Sequence, residues 1–313
     1  MHSQPPFSGI CHFFGAEQNL KGNLDSDVML MGVPFDLGTT YRPGARFGPR
    51  AVREASQLYI NDYHPNLDLC PDKLLKLVDG GDFTVIPGYL ERTISLIEKQ
   101  AFNLLNANIK SSMVCVGGDH TISLPLLRAL NRHLKKPVSL LHFDAHVDTW
   151  KNSFGAAIGH GSPFYHAVEE KLINPQTSVQ IGIRSPLDLH TKKYTNQHGF
   201  TIIPALKVHT ENDPTSIAKT LINVLGDNPV YLTFDIDCID PSQAPGTGSP
   251  EPGGLFSWQV LAILEYLIPL NFVGMDLVEV SPIYDQSGIT AHLAANIIWI
   301  YLTLIASRKL MSK

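Results

Sequence analysis

Apolar and polar positions divide the chain into short runs that do not alternate. "VMLMGVPF" from Val28, "LLKLVD" from Leu74, "SMVCVGG" from Ser112, "VSLLHFD" from Val138, "SVQIGIR" from Ser178, "PVYLTFDID" from Pro229 and "FVGMDLVEV" from Phe272 are apolar on both faces and read as buried parallel strands. Between several of them lie patterns of helical spacing, such as "LERTISLIEKQAFNLLNA" from Leu90 and "SLPLLRALNRHL" from Ser123. Strands and helices in alternation predict βαβ crossovers, hence an α/β fold of three layers, α/β/α, around a central, mostly parallel sheet. "GTTYRPGARFGPR" from Gly38 and "APGTGSPEPGG" from Ala244 are dense in Gly and Pro and predict loops without regular structure. "AANIIWIYLTLIA" from Ala294 is shorter than the ~18 to 20 residues of a membrane span and predicts a buried helix.

With 313 residues, 44% of them hydrophobic and 17% charged, the chain can bury a large core, and no linker composition divides it. One domain over residues 1–313 is expected, with 1–27 as an irregular N-terminal extension. The net charge is -5 without a Lys/Arg cluster, which excludes an electrostatic footprint for nucleic acid or an anionic membrane. "MHSQPPFSGI" has no charged segment followed by an apolar one, so a cytoplasmic location is expected. Cys11, Cys70, Cys115 and Cys238 are scattered, without disulfide or thiolate-metal spacing; Cys115 and Cys238 read as inert core thiols.

Ligands of an open α/β sheet gather beyond the carboxyl ends of its strands, which makes the residues after each apolar run the informative ones. "VGGDHT" supplies Asp119 and His120, "HFDAHVD" supplies Asp144, His146 and Asp148, and "LTFDIDCIDP" supplies Asp235, Asp237 and Asp240. Alternate residues of an extended segment project to one side about 6.5 to 7 Å apart, so Asp144, His146 and Asp148 can share a face, as can Asp235 and Asp237. Four carboxylates in one crevice repel one another, and no Lys or Arg accompanies them in these motifs. Two divalent cations resolve the repulsion, with His120 and His146 completing the coordination and at least one carboxylate bridging. Oxygen and imidazole donors without thiolate suit Mn²⁺ first, admit Fe, Co, Ni or Zn, and argue against an all-oxygen Ca²⁺ site. Singly, a D-x-D is a turn or cap and a strand-end His a hydrogen-bonded structural residue; their convergence on three neighbouring strand ends favours the metal reading. Asp79 and Asp82 in "LVDGGDF" lack such company and read as turn and capping carboxylates, and His166 in "FYHAVEEK" as a solvated helix face. Two ions about 3.5 to 4 Å apart lower the pKa of a water between them, which implies hydrolysis. The absence of cations from the motifs favours a cationic or neutral substrate over a phosphoester.

The ordered set "GGDHTISLPLL", "HFDAHVDT", "GHGSPF", "TFDIDCIDPSQAPGTGSPEPGG" and "GMDLVEVSP" resembles the ureohydrolase family, the arginases and agmatinases, from about Val28 to the C-terminal helix. The segment "TYRPGARFGPR" and the loop at Ala244 look more like its agmatinase branch. The resemblance implies an arginase-like single domain, two Mn²⁺ per chain, trimers or hexamers, and hydrolysis of a small guanidino compound to urea and an amine. Agmatine to putrescine is the expected reaction, with a guanidinobutyrase or other guanidino-acid hydrolase as the alternative. It implies His120, Asp144, His146, Asp148, Asp235 and Asp237 as metal ligands, with Asp148 counted as catalytic too. Glu279 in "LVEVSP" matches the carboxylate that holds the guanidinium and His160 in "GHGSPF" the histidine that carries a proton to the departing amine. Read without the family, Glu279 could equally belong to a buried ion pair and His160 to a loop. The chain departs from the pattern at "TWKNSFGAAIGHGSPF", which puts Trp150 and Phe154 near the substrate tail, and at "GIRS", where "GIRG" is common in agmatinases. Arginase-like enzymes hold arginine's α-amino acid head with small polar residues just after the Asp-x-His-x-Asp run, so Trp150 as the tail contact implies that arginine is a poor substrate. The rivals are a single-zinc deacetylase of the same general fold, which needs only an Asp-x-His pair and one further Asp, and a catalytically dead relative acting as a binding partner.

Overall fold

All seven apolar runs enter one sheet of the computed structural model, which describes residues 5–19, 25–152 and 154–311. Its strands are β1 (Glu17–Gln18), β2 (Val28–Val33), β3 (Leu77–Asp82), β4 (Ser112–Gly117), β5 (Ser139–Phe143), β6 (Val179–Ile183), β7 (Thr201–Pro204), β8 (Pro229–Asp235) and β9 (Asn271–Val278). They lie in the order β1-β3-β2-β4-β9-β8-β5-β6-β7, and every neighbouring pair is parallel. The helices are α1 (Gly48–Ala55), α2 (Pro71–Leu74), α3 (Leu90–Ala107), α4 (Ser123–Leu134), α5 (Pro163–Glu169), α6 (Leu189–His198), α7 (Ala205–Glu211), α8 (Pro214–Leu225), α9 (Ser257–Glu265) and α10 (Ile289–Met311).

Every residue of β2, β5, β6 and β8 is buried, the burial expected of strands covered on both faces. Val28 and Leu30 of β2 join Val114, Phe143 and Phe234 in a core under α1, α8, α9 and α10, while the intervening Met29 and Met31 join Met113 and Leu140 under α3, α4 and α5. The three-layer α/β/α arrangement follows from that alternation.

Several expectations need correcting. The stretch from Gly38 is not wholly irregular: Ala45–Phe47 forms a 3₁₀ turn and Gly48, Pro49 and Arg50 open α1, where Pro at the first turn gives up no hydrogen bond. The run from Leu74 starts in α2, which Pro71 opens in the same way, so the strand is shifted to Leu77–Asp82. Within the extension expected to be irregular, residues 13–15 form a 3₁₀ turn and β1 pairs with β3 as an edge strand; residues 1–4 and 20–24 lie outside the described residues. β7 lies in the short apolar run "FTIIPAL" from Phe200, a strand absent from the seven runs above. The C-terminal helix is 23 residues long, enough to cross a membrane, but 72% of its most apolar window is buried within the fold. Asp285 sets where that helix begins, accepting from the backbone N–H groups of Ser287, Gly288 and Thr290.

Asp79 accepts from Gly81 N–H at 2.9 Å, as a turn carboxylate does, but that is only part of its role. It is buried in β3 and accepts from the Arg53 guanidinium at 2.9 Å and from Phe13 N–H at 2.8 Å, while Arg53 also reaches Asp82 at 2.9 Å and stacks over the Phe13 ring. This cluster fastens the N-terminal segment and α1 to the sheet edge. Removing one partner strands the other charge in a buried place, so Arg53→Ala is expected to cost about 3 kcal/mol. Urea denaturation should show the lower midpoint with an unaltered slope; an unshifted midpoint would deny the cluster that role.

Candidate metal centre

β8 and β9 come late in the chain yet lie between β4 and β5, so the carboxyl ends of four neighbouring strands meet. The three expected strand ends are thus not all adjacent: β9, bearing Glu279 just past its end, separates β4 from β8. All six expected ligand residues come together there. His120 Nδ1 lies 3.1 Å from Asp144 Oδ2, 2.9 Å from Asp148 Oδ2 and 3.2 Å from Asp235 Oδ2. His146 Nδ1 lies 3.2 Å from Asp144 Oδ1 and 3.0 Å from Asp237 Oδ2. Asp144 therefore belongs to two constellations at once, one with His120 and Asp148 and one with His146 and Asp237.

The donor set fits divalent cations. His120 Nδ1 is fully buried among three carboxylate oxygens and makes no hydrogen bond to any of them. Burial, then repulsion by Asp237 and Asp144, pushes Asp235 well up; burial and Asp144 push Asp237 up to about 6. Burial alone would raise Asp144, but His142, His120 and His146 together hold it well below the usual carboxylate range. A cation among these oxygens relieves both burial and repulsion.

His142, which the sequence reading passed over, donates from Nε2 to Asp144 Oδ2 at 2.7 Å and is itself among the groups that could ligate. Its signal was present: His142, Asp144, His146 and Asp148 continue one two-residue period. Thr233 and Asp276 were missed too, with Thr233 Oγ1 2.8 Å from His120 Nε2. Asp119 and Asp240, both strand-end carboxylates, hold loops instead. Asp119 accepts from Gly38 N–H at 2.8 Å, and a Cβ at Gly38 would stand 2.0 Å from Thr121 Oγ1, so only glycine lets this loop come so close. Burial, then the charge of Glu279, raises the Asp119 carboxyl to about 7. Asp240 accepts from Gly253 N–H and Gly254 N–H, and Arg184 donates to the carbonyls of Asp237 and Glu251, tying the Ala244 loop to the end of β8.

Glu279 and His160 meet at 3.0 Å, Nδ1 to Oε1, and Glu279 Oε1 also accepts from His120 N–H at 3.0 Å. His160 Nε2 sits 2.8 Å from the Thr40 hydroxyl. Burial works against charge on His160, but the hydrogen bond and charge of Glu279, with Asp119 and Asp148 beyond, prevail and raise it to about 9. Asp148 and Glu279 both have left-handed backbone, φ 49° and φ 65°, a conformation that costs of order 1 to 3 kcal/mol and persists where the surroundings enforce it.

A cavity of about 350 Å³ is lined by His146, Asp148, Asp235, Asp237, His160 and Glu279 together with Trp150, Phe154, Thr40 and Asn152. Among the described residues no Lys or Arg lines it. Lys151 is exposed, and Arg42 is committed to the carbonyls of Thr247 and Gly248 and to the face of Tyr284. His166, expected on a solvated face, is half-buried and bonds to the Ala157 carbonyl.

The model of the Arginase family matches residues 26–303. An agmatinase of Chromobacterium violaceum is 41% identical, with 97% of this chain and 91% of that protein covered. Among solved structures, a hypothetical agmatinase from Burkholderia thailandensis is 39% identical with a TM-score of 0.90, covering 98% of this chain and 94% of that one. Proclavaminate amidino hydrolase from Streptomyces clavuligerus is 37% identical with a TM-score of 0.91, covering 97% of this chain and 100% of that one.

A cation that binds the folded centre stabilises the fold by mass action, about 2.7 kcal/mol at a hundred times its Kd. Adding Mn²⁺ to chelator-treated protein should accordingly raise its melting temperature, and chelator should reverse the shift. Asp237→Asn, which removes a negative charge from the centre, should lower the number of ions counted per chain by elemental analysis. A melting temperature indifferent to divalent ions would contradict the fit.

Proposed function

The chain belongs to the arginase family and is a metal-dependent amidinohydrolase, and from that premise we propose that it cleaves agmatine to urea and putrescine with two Mn²⁺ held by His120, Asp144, His146, Asp148, Asp235 and Asp237. The observation that carries the reading is the cavity, lined by carboxylates and by Trp150 and Phe154, with no Lys or Arg among its described lining residues.

When bound, two divalent ions neutralise the carboxylates and lower the pKa of water enough to supply a nucleophile at neutral pH. The chain's own groups do the rest. Glu279 Oε1 is occupied by His120 N–H and His160 Nδ1–H, and Oε2 has no bond among the described residues, which leaves it for the planar N–H donors of a guanidinium. With Nδ1–H held by Glu279, His160 turns toward Thr40 a second nitrogen, Nε2, that accepts from Thr40 N–H at 3.2 Å; raised to about 9, the ring can take up a further proton there and pass it to the departing amine. An amine leaves far more readily than its anion, so this transfer belongs with C–N cleavage.

The tail decides between agmatine and a guanidino acid. An ammonium can sit against Trp150 as a cation–π contact, near carboxylates that favour it. A carboxylate would give up its hydration to an acidic, aromatic cavity where neither Lys151 nor Arg42 offers a counter-charge. The same lack disfavours the α-carboxylate of arginine.

His160→Asn should keep both ions while kcat falls about 10² to 10⁴-fold, the usual worth of a positioned acid; loss of an ion in that variant would make His160 a ligand instead. Glu279→Gln should lower kcat/KM with folding preserved. Urea release should be compared under one set of conditions for agmatine, 4-guanidinobutyrate, 3-guanidinopropionate, arginine and guanidine. Agmatine should lead. Arginine in first place would refute the assignment, and guanidinobutyrate ahead by tenfold, about 1.4 kcal/mol, would replace agmatine with the guanidino acid.

A further inference from the structure

One pleat below the ligands, a polar row crosses the middle of the sheet. The strand registers set Asp276 of β9 beside Thr233 of β8, Thr233 beside His142 of β5, and His142 beside Gln180 of β6. All four are fully buried, on the face that α4 and α5 cover. On either side the same row is apolar, with Met31 and Cys115 beyond Asp276 and Ile202 beyond Gln180. Buried polar groups in the centre of a parallel sheet cost free energy unless they are paired, and in this row only Gln180 Oε1 lacks a partner among the described residues. The catalytic roles proposed above use none of them.

Their hydrogen bonds have a direction set from the two ends. At one end the Asp276 carboxylate receives three hydroxyls: Thr233 at 2.5 Å, and Ser123 and Tyr231 at 2.8 Å each. Having given its proton to Asp276, Thr233 Oγ1 accepts, and the group facing it at 2.8 Å is His120 Nε2. At the other end Gln180 Nε2 donates to the Val147 carbonyl at 2.7 Å and to His142 Nδ1 at 3.1 Å. His142 is left with its proton on Nε2, which it donates to Asp144 Oδ2 at 2.7 Å.

We propose that the Asp276–Thr233–His142–Gln180 row is the positioning device of the centre: it keeps a proton on His120 Nε2 so that Nδ1 faces the ions, and it fixes the Asp144 carboxylate shared by both constellations. These four are positioning residues, since they act through His120 and Asp144. The buried, unpartnered His120 Nδ1 is what such a lock leaves behind. The inference rests on the metal-centre reading of the proposed function, but not on the identity of the substrate.

The test is calorimetric titration of Mn²⁺ into chelator-treated wild type, Thr233→Val and Thr233→Ser. Valine keeps the shape and removes the hydroxyl; serine keeps the hydroxyl. Thr233→Val should bind Mn²⁺ about 10- to 100-fold more weakly, the usual loss when a partner behind a ligand is removed. Thr233→Ser should recover wild-type affinity even if it melts lower, which separates positioning from packing. Valine binding as tightly as wild type would overturn the inference. A second measurement does not depend on the Thr233 variants: ¹⁵N ring spectra of the wild type, with His120 assigned through His120→Gln. Its Nε2 should carry a proton both in metal-free and in Zn²⁺-loaded protein, and an unprotonated Nε2 would equally overturn the inference. A wild type that takes up no divalent ion would refute the proposed function, while the ring spectrum would still decide the row.

Discussion

The constraint on which the structure turns is the crowding of Asp144, Asp148, Asp235 and Asp237 in a place nearly closed to water. Like charges at such range cannot all stay ionised without compensation, and the surroundings show how it is supplied. Two imidazoles stand among the carboxylates, and backbone N–H groups serve them: Ala145 N–H donates to Asp237, Asp237 N–H to Asp235 and His146 N–H to Asp144. What protein groups do not complete is a set of oxygen and imidazole atoms turned toward one another, the arrangement that divalent cations satisfy.

Holding that arrangement accounts for much of what surrounds it. The strand order puts β8 and β9 between β4 and β5, which brings His120 and Asp235 to one place from distant parts of the chain. Strain is accepted at Asp148 and Glu279, where left-handed backbone turns two carboxylates toward the centre. The loops above are pinned by groups with no part in the chemistry: Asp119 holds the Gly38 turn, and Arg184 spends its donors on carbonyls of the segments after β8. The hypothetical agmatinase and the proclavaminate amidino hydrolase match this chain almost equally in backbone, at TM-scores of 0.90 and 0.91, so the backbone alone does not set this chain nearer to one than to the other.

The sequence by itself determined the layers and the six Asp and His residues that the fold brings together. Seven short apolar runs became strands covered on both faces while the equally apolar run from Ala294 became a helix, and the two-residue spacing named the right residues although the chain leaves the extended form there, with Asp148 left-handed and Asp237 in a 3₁₀ turn. Both are local properties, readable without knowing which strands pair. Short-range chemistry also misled where it was ambiguous: Asp79 carries no mark that sets it apart from a turn carboxylate, and Gly and Pro around Gly48 can open a helix as readily as they prevent one.

Tertiary structure alone decided the rest, because it depends on which strands become neighbours. β9 came between β4 and β8 and brought Glu279 against His160; Arg42 turned away to the Thr247 and Gly248 carbonyls, leaving the cavity without a Lys or Arg among its described lining residues. The row from Asp276 to Gln180 is the clearest case. In sequence its members are an Asp, a Thr, a His and a Gln in separate strands, and only the register of four parallel strands sets them side by side as two hydrogen-bonded pairs, Asp276 with Thr233 and His142 with Gln180, beneath the candidate ligands. Register is fixed by the packing of whole layers, which no short stretch of sequence contains.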